Sequence, residues 1–383
     1  MKNYSVEGID YRTKKAIRIE IEDGRIVHIS ECDSELSSYL APGLVDLQIN
    51  GYKGIDLNQS GLSVADIDSI TRMLWEQGVT TFFPTIISNS DEETESLLGT
   101  ISLACSSVPE VEASIGGIHL EGPFISPEDG PRGAHSKLYI KAPDWDLFAR
   151  WQEASGGRIR IITLSPEWPG STDFIRRCTS SGVVVSIGHT AATPDQIRKA
   201  VDSGASMSTH LGNGSHLMLP RHPNYIWEQL ASENLWSGII ADGFHLPDSV
   251  LKVFLKVKPE KTILVSDVTS FAGLSPGVYT GHIGGEVELS KEGRLFVKGN
   301  PQFLAGSAQT LLWCVNQLIK KDILPLKEAW NMASLKPVEF LNMASADAFQ
   351  IGVPADLVIF KKDDMGIEIL KTIKTGKTVF SKN

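Results

Sequence analysis

SIGGIHLEGPF, residues 114–124, joins an apolar run to a carboxylate and then to two residues that end strands. The run up to Leu120 is typical of a β-strand that is buried on both faces. Because Gly122 and Pro123 rarely continue a strand, Glu121 falls at its carboxyl end. A carboxylate buried alone at such a position costs several kcal/mol, so we expect a partner for Glu121.

Seven further apolar runs of this kind occur along the chain, and helical patterns such as 63–78 and 193–204 separate several of them. Thr193 is a good N-cap for the second of these helices, with Pro194 at its first position. Eight buried strands with interleaved helices predict an α/β fold of the (β/α)8 TIM-like barrel type, with a doubly wound open sheet as the alternative. The eight runs are residues 43–49, 79–86, 115–120, 159–164, 183–189, 206–211, 237–245 and 262–267.

Both ends of the chain have a different pattern from the middle. Residues 16–30 alternate apolar and polar side chains around a Glu-Asp-Gly turn, and the last thirty residues alternate in the same way. Such alternation is typical of half-buried antiparallel strands. We therefore predict a small β-sandwich domain from residues 1–42 and 351–383, and a barrel domain from residues 43–350.

Composition narrows the class of protein. The chain has 383 residues and a net charge of −10 without acidic blocks, which argues against binding to nucleic acid or to an anionic membrane surface. A small anionic ligand remains compatible, because it needs only a local basic pocket. The four cysteines are scattered and form no CxxC pair, and no run is long enough for a signal peptide or a membrane span. These features predict a cytoplasmic protein.

Polar residues follow the carboxyl ends of five predicted strands: Glu121, His189, His210, His245 and Asp267. In a parallel barrel these ends meet on one face, where active sites form. One carboxylate and two imidazoles are a common ligand set for a catalytic divalent ion, so the pattern predicts a metal site at Glu121, His189 and His210. Asp267 would then exchange protons with the reacting groups.

Each of these residues also has an ordinary interpretation when it is taken alone. A glutamate or aspartate at a strand end often caps a turn or faces solvent, and a buried histidine is often just hydrogen-bonded. His135, in the loop after the third strand, is either a solvated loop residue or a donor to a carbonyl oxygen on which charge develops. Arg221, in the loop 209–225, is either an ordinary surface arginine or, together with His245, a phosphate ligand.

Taken together, the motifs resemble those of the N-acetylglucosamine-6-phosphate deacetylases, a family within the amidohydrolase superfamily. The resemblance extends from about residue 41 to residue 308, and the end segments are similar to the small β-sandwich of that superfamily. The matching stretches are APGLVDLQINGYKGIDLN, GIHLEGPFISP, RGAH, SIGHT, STHLGN, IIADGFHL, VSDVTSFAG and LAGSA.

The resemblance implies hydrolysis of the N-acetyl amide of an amino sugar phosphate by a metal-dependent, cytoplasmic homodimer. It implies Glu121, His189 and His210 as metal ligands, Asp267 as the proton donor and acceptor, and His135 beside the substrate carbonyl. The ion implied is zinc, with iron, manganese or cobalt as alternatives that the ligand types also suit. The substrate contacts that it implies are Ala134, Asn213, Gly214, Arg221, His245 and Gly306.

Two departures from the family pattern qualify this interpretation. Many amidohydrolases have Asp-x-His-x-His in the first barrel strand, whereas this chain has Asp46, Gln48 and Asn50, which favours one metal ion per chain. After His210 the family usually has Asn-Ala-Met, whereas this chain has Asn213-Gly214-Ser215 and an unusual loop, 212–222. The alternatives are therefore a deacylase of another N-acyl sugar or small amide, and a non-catalytic binding paralogue.

Overall fold

The structure is a computed structural model that describes residues 4–282, 285–343 and 349–382. Eight parallel strands stand in chain order around a barrel, each paired with the next. The ring is closed where Ile49 pairs with Val268, and the amide of Asn50 donates to the carbonyl of Val268 over 2.8 Å. The barrel strands are Leu44–Ile49, Val79–Ile87, Ile118–Glu121, Ile159–Leu164, Val184–Ile187, Met207–Ser208, Trp236–Ile239 and Thr262–Leu264.

The predicted barrel is confirmed, and its closure excludes the open doubly wound sheet. All eight apolar runs form strands, although several strands end two or more residues before the predicted boundary. The residues beyond those ends form the loops that carry the polar side chains. This shortening matters for function because His189 and His210 follow the strands and do not belong to them.

Helices cover the outside of the barrel, and their starts show why the sequence forms them. Ser63 accepts a hydrogen bond from the amide of Asp66, whose carboxylate accepts one from the amide of Ser63. Thr193 and Gln196 form the same reciprocal cap, with Pro194 at the first helical position. The helices are Val64–Trp75, Asp91–Ser107, Pro109–Ser114, Trp145–Ala154, Ser171–Ser180, Pro194–Asp202, Tyr225–Ala231, Asp248–Val257, Leu311–Lys320, Leu326–Met332 and Leu335–Phe340, with a 3-10 turn at Lys137–Tyr139.

The two ends of the chain form one seven-stranded sheet beside the barrel, as the fold prediction required. In spatial order its strands are Lys377–Ser381, Ile367–Lys374, Leu357–Lys362, Tyr39–Pro42, Tyr4–Asp10, Ala16–Glu22 and Arg25–Glu31. The sheet is held to the barrel by buried polar contacts: Thr372 donates to the carbonyl of Trp75, and Lys374 donates to Thr81. The first barrel strand begins two residues after the strand Tyr39–Pro42 ends, so the sheet leads directly into the barrel.

A four-stranded antiparallel sheet follows the last barrel strand and was not predicted from the sequence. Its strands are Gly277–Gly281, Gly285–Leu289, Leu295–Val297 and Asn300–Leu304. Residues 43–350 were predicted to form the barrel domain as a whole, so this insertion was overlooked. The insertion places residues 294 and 302–304 beside the cavity described below. We call it the insert sheet. A two-stranded ribbon, Gly51–Tyr52 with Ile55–Asp56, follows the first barrel strand.

The apolar core has two parts. The larger part packs the helices and the terminal sheet against the outside of the barrel. The smaller part includes Leu47, Phe83, Ile161, Met207 and Val265, which come from strands all around the ring and therefore fill its interior. Within the part of the chain that the structure describes, no helix combines the length and apolarity needed to span a bilayer.

Candidate active site

Glu121, His189 and His210 meet at the carboxyl ends of three barrel strands. Nε2 of His210 lies 3.1 Å from Oε1 of Glu121 and 3.1 Å from Nε2 of His189. Nε2 of His189 lies 3.3 Å from the same carboxylate oxygen. All three side chains are buried, and their ligand-type atoms lie within 4.8 Å of one another.

This arrangement fits a single divalent ion. Ligand bonds of about 2.0–2.1 Å at tetrahedral angles separate neighbouring ligand atoms by about 3.3 Å, close to the separations found here. Nε2 of His189 and Nε2 of His210 both face Oε1 of Glu121, so one cation among them would bind all three atoms. Nδ1 of His189 donates to the carbonyl of Pro131 over 2.9 Å, which leaves the Nε2 lone pair free for a metal.

The electrostatics keep the glutamate ionised. Burial alone would raise the pKa of Glu121, but the facing side chains of His189 and His210 hold that pKa well below its usual value. A metal ligand must be a carboxylate and not a carboxylic acid, so this environment suits ligation.

The backbone of the site is strained. His189, His210 and Asp267 all lie in the left-handed region, with φ of 48°, 27° and 51°. This conformation costs roughly 1–2 kcal/mol for a residue with a Cβ. Such strain concentrates at functional sites, because surrounding structure must hold it in place. The three residues follow the ends of three different barrel strands, and the sharp turn of the chain at each one brings it to the same cavity.

Asp267 is held by two amide side chains from the first barrel strand. Its Oδ1 accepts from Gln48 over 3.0 Å and from Asn50 over 2.7 Å, and Gln48 also donates to Glu121 over 3.0 Å. Burial, together with the charge of Glu121, raises the pKa of Asp267 to about 6. Gln48 and Asn50 therefore act here as hydrogen-bond donors to the two carboxylates.

His135 lies against the metal-ligand cluster as a neutral imidazole. Its ring centroid is 4.5 Å from that of His189, and its Nδ1 lies 2.9 Å from the hydroxyl of Ser88. Burial lowers the pKa of His135 to about 3, so the ring carries no charge near neutral pH. When Nδ1 accepts from Ser88, Nε2–H remains a donor for a substrate oxygen.

A cavity of about 330 Å³ opens above these residues. All of the predicted site residues line it except Arg221, which is exposed on the loop after His210 and lies outside the lining. The predicted residues in the lining are Glu121, Ala134, His135, His189, His210, Asn213, Gly214, His245, Asp267 and Gly306.

Sequence reasoning missed the group that orients His245. Asp242 is buried, and its Oδ2 accepts from Nδ1 of His245 over 2.7 Å and from the hydroxyl of Ser307 over 3.1 Å. Although burial alone would raise the pKa of Asp242, the facing His245 lowers it to about 2. The available sequence signal was the spacing of three residues between Asp242 and His245 in ADGFH. At that spacing the aspartate can accept hydrogen bonds from the two backbone amides that follow, as it does here.

Sequence reasoning also missed Arg294, Gln302, Phe303 and Leu304, which the insert sheet brings to the cavity. The available signal was the turn pattern Lys-Glu-Gly between two alternating runs, which is typical of a hairpin. Nothing in that pattern indicates that the hairpin reaches a site formed near residue 121.

The unusual loop after His210 is fixed to a second active-site loop. Nε2 of His216 lies 2.9 Å from the carboxylate of Glu128, and its Nδ1 and backbone amide both contact the hydroxyl of Tyr225. We call these contacts the His216 latch. They assign His216 to loop positioning, whereas His222 on the same loop is exposed.

A metal-ligand cluster of this kind on a closed barrel, with a strand-end aspartate beside it, defines a class of hydrolases. The chain belongs to the amidohydrolase family, whose model matches residues 39–379. This confirms the superfamily inferred from the motifs.

Several proteins that match over most of this chain are deacetylases. The N-acetylglucosamine-6-phosphate deacetylase of Bos taurus is 32% identical over 353 residues, which cover 89% of this chain and 83% of the bovine protein. The deacetylase of the same name from Bacillus subtilis is 31% identical and covers 94% of this chain and 92% of its own length. The crystal structure of the Thermotoga maritima deacetylase is 28% identical with a TM-score of 0.85, over 99% of this chain and 100% of that one.

Proposed function

We propose that the protein removes the acetyl group from N-acetylglucosamine 6-phosphate and releases glucosamine 6-phosphate and acetate. The observation that carries this proposal is the convergence of Glu121, His189, His210 and Asp267 in one cavity of an amidohydrolase barrel. The curated relatives that match over most of this chain are named for that activity. A non-catalytic paralogue has no chemical reason to retain all four side chains.

We infer that one divalent ion is held by Glu121, His189 and His210, with zinc favoured and iron, manganese or cobalt as alternatives. Such an ion supplies Lewis acidity, which makes water more acidic and polarises a carbonyl group. Gln48 and Asn50 support a count of one, since both already donate to Asp267 and neither is a good ligand for a second ion.

The side chains around the ion account for the proton movements. Asp267 accepts a proton from the attacking water as its oxygen bonds to the acetyl carbonyl carbon. His135 donates a hydrogen bond to the carbonyl oxygen as negative charge develops there. When the carbon–nitrogen bond breaks, Asp267 returns the proton to the leaving amine, so the carboxylate is regenerated. The pKa of about 6 suits a group that must both accept and donate near neutral pH.

Substrate contacts are assigned to Ala134, Asn213, Gly214, His245 and Gly306, all of which line the cavity. His245 is supported by Asp242, which holds the Nδ1 side of the ring and leaves Nε2 for the ligand. Arg221 is exposed and does not line the cavity of its own chain. We therefore propose it as a phosphate contact only for the cavity of a second subunit that its loop could reach.

We propose that the protein is a homodimer and that the exposed part of the same loop lies in the interface. Met218 is 88% exposed and Leu217 is 64% exposed, beside Arg221 and close to the cavity mouth. Light scattering of the purified protein tests this, and a monomer at micromolar concentration would contradict it.

We further propose a cytoplasmic location, which the four free thiols support. We also propose two domains, one formed by residues 1–42 with 351–383 and the other by residues 43–350.

The experiment for the main proposal is a substrate panel with metal-loaded enzyme. N-acetylglucosamine 6-phosphate, N-acetylglucosamine and other N-acyl sugars are compared by acetate release. We expect the 6-phosphate to have the highest kcat/KM. The alternative is a deacylase of an unphosphorylated N-acyl sugar, and the exposed position of Arg221 favours it. If the enzyme prefers such a substrate, that alternative replaces the proposal.

A further inference from the structure

We propose that Arg294 sets the specificity for a phosphorylated sugar by binding the substrate phosphate from within the same chain. This inference rests on the function proposed above, and it assigns a residue of the insert sheet to the substrate site. It differs from the assignment to Arg221, which the motif resemblance implied.

The insert sheet holds Arg294 in a fixed place at the cavity. The turn before it is closed by backbone hydrogen bonds, from the amide of Gly293 to Ser290 over 3.1 Å and from the amide of Ser290 to Arg294 over 2.9 Å. The side chain of Gln309 donates to the carbonyl of Gly293 over 3.1 Å. Gln309 lies three residues after Gly306, which lines the same cavity, so the turn is tied to the wall of the site.

The guanidinium group is oriented but not neutralised. Its Nη2 donates to the carbonyl of Pro301 over 2.5 Å, and its Cζ lies 5.5 Å from the ring centroid of Phe296. Among the described residues, no carboxylate forms an ion pair with it. Lys298 on the same sheet is different, because its Nζ is paired with Glu286 over 3.0 Å. Arg294 therefore retains a full positive charge and free N–H donors.

The charge balance of the cavity supports an anion at this position. Of the described residues that line the cavity, Arg294 is the only lysine or arginine, while Glu121 and Asp267 contribute negative charge. A bound divalent ion would compensate the two carboxylates, which leaves the charge of Arg294 for the substrate. A guanidinium binds phosphate through two parallel hydrogen bonds, and His245, which lines the same cavity, adds a further donor.

The test separates phosphate recognition from folding and from chemistry. Arg294→Met keeps an unbranched apolar stem and removes the charge. We expect it to lower kcat/KM for N-acetylglucosamine 6-phosphate about 10- to 100-fold and to leave N-acetylglucosamine almost unaffected. Arg294→Lys should recover part of the loss. Lys298→Met removes a charge from the same sheet outside the cavity, and it should behave like the wild type.

Three outcomes would overturn the inference: equal losses on both substrates for Arg294→Met, an equal loss for Lys298→Met, or wild-type activity of Arg294→Met on the phosphorylated sugar. A binding assay keeps this result separate from the proposed function. Calorimetry with glucosamine 6-phosphate and glucosamine measures the affinity gained from the phosphate without any turnover. That gain should fall in Arg294→Met even if the enzyme hydrolyses a different amide, and an unchanged gain would reject the role of Arg294.

Discussion

Asp267 is the residue whose surroundings define its role most fully. Gln48 and Asn50 both donate to its Oδ1, and an asparagine at this position can accept the same two hydrogen bonds. Asp267→Asn should therefore keep the fold and the metal content but remove the group that carries the proton. We expect kcat to fall about 10²- to 10⁴-fold. Steady-state kinetics with metal analysis of the same sample checks this, and near wild-type turnover would reduce Asp267 to a turn-forming residue.

Gly214 lies directly against the ring of His189, one of the three side chains of the proposed metal site. Its φ is 55°, and a Cβ built on it would lie 2.7 Å from Nδ1 of His189, the nitrogen that donates to Pro131. Gly214→Ala should displace the ligand ring and weaken metal affinity about 10- to 100-fold, as loss of support around a ligand commonly does.

Competition with a metal-binding dye measures the affinity of the Gly214→Ala variant. Gly157→Ala is the matched control, because Gly157 also has a positive φ of 78° but a Cβ added there would meet no atom within 4 Å. The control should lose some stability and no metal affinity. Equal metal affinity in the two variants would show that Gly214 serves only the backbone.

Some residues of the site could be predicted from the sequence and others could not, because a local sequence pattern marks only the first group. Glu121, His189 and Asp267 each end an apolar run, so a local pattern marks them. Asp242 acts through Ser307 and His245, and Arg294 acts through a hairpin whose position depends on the folded barrel. Contacts between segments that are far apart in sequence leave no periodic trace, so one sequence without structure does not reveal them.

At the scale of elements, the eight strands were predictable because parallel strands buried on both faces read as apolar runs. The insert sheet was not predictable in this way, because its strands are partly exposed and short. The strand Leu295–Val297, for example, has only three residues. Its effect on the site is larger than its length indicates, since it supplies one side of the cavity lining. The prediction from sequence therefore reached the scaffold and the cluster of Glu121, His189 and His210, which could hold a metal ion, but only part of the cavity lining.

The His216 latch connects two loops that line the cavity, and its loss should affect binding more than chemistry. His216→Ala removes contacts to Glu128 and Tyr225, so the loop 212–222 would be held less firmly in the position that lines the cavity. We expect KM to rise several-fold with a smaller change in kcat. His222→Ala is the control on the same loop, because His222 is exposed. A fall in kcat with unchanged KM would place His216 in the chemistry and not in loop positioning.

At the scale of the whole molecule, the metal-ligand cluster joins strands that are far apart in sequence, so metal binding should stabilise the entire barrel. Glu121, His189 and His210 belong to the ends of the third, fifth and sixth strands. The complete ligand set exists only in the folded state, and a ligand that binds only the folded state adds about 2.7 kcal/mol at a free concentration of 100 times its Kd. Chelation should therefore lower the Tm by several degrees.

Thermal unfolding with and without a chelator measures this effect, and adding zinc back should restore the Tm. His210→Ala provides the decisive comparison, because it removes one ligand from the cluster and should make the Tm insensitive to the chelator. Its own Tm should resemble that of the chelated wild type or lie below it, since the substitution also removes the buried contact of 3.1 Å between Nε2 of His210 and Oε1 of Glu121. If the chelator leaves the Tm of the wild type unchanged, metal binding at the three residues does not stabilise the barrel.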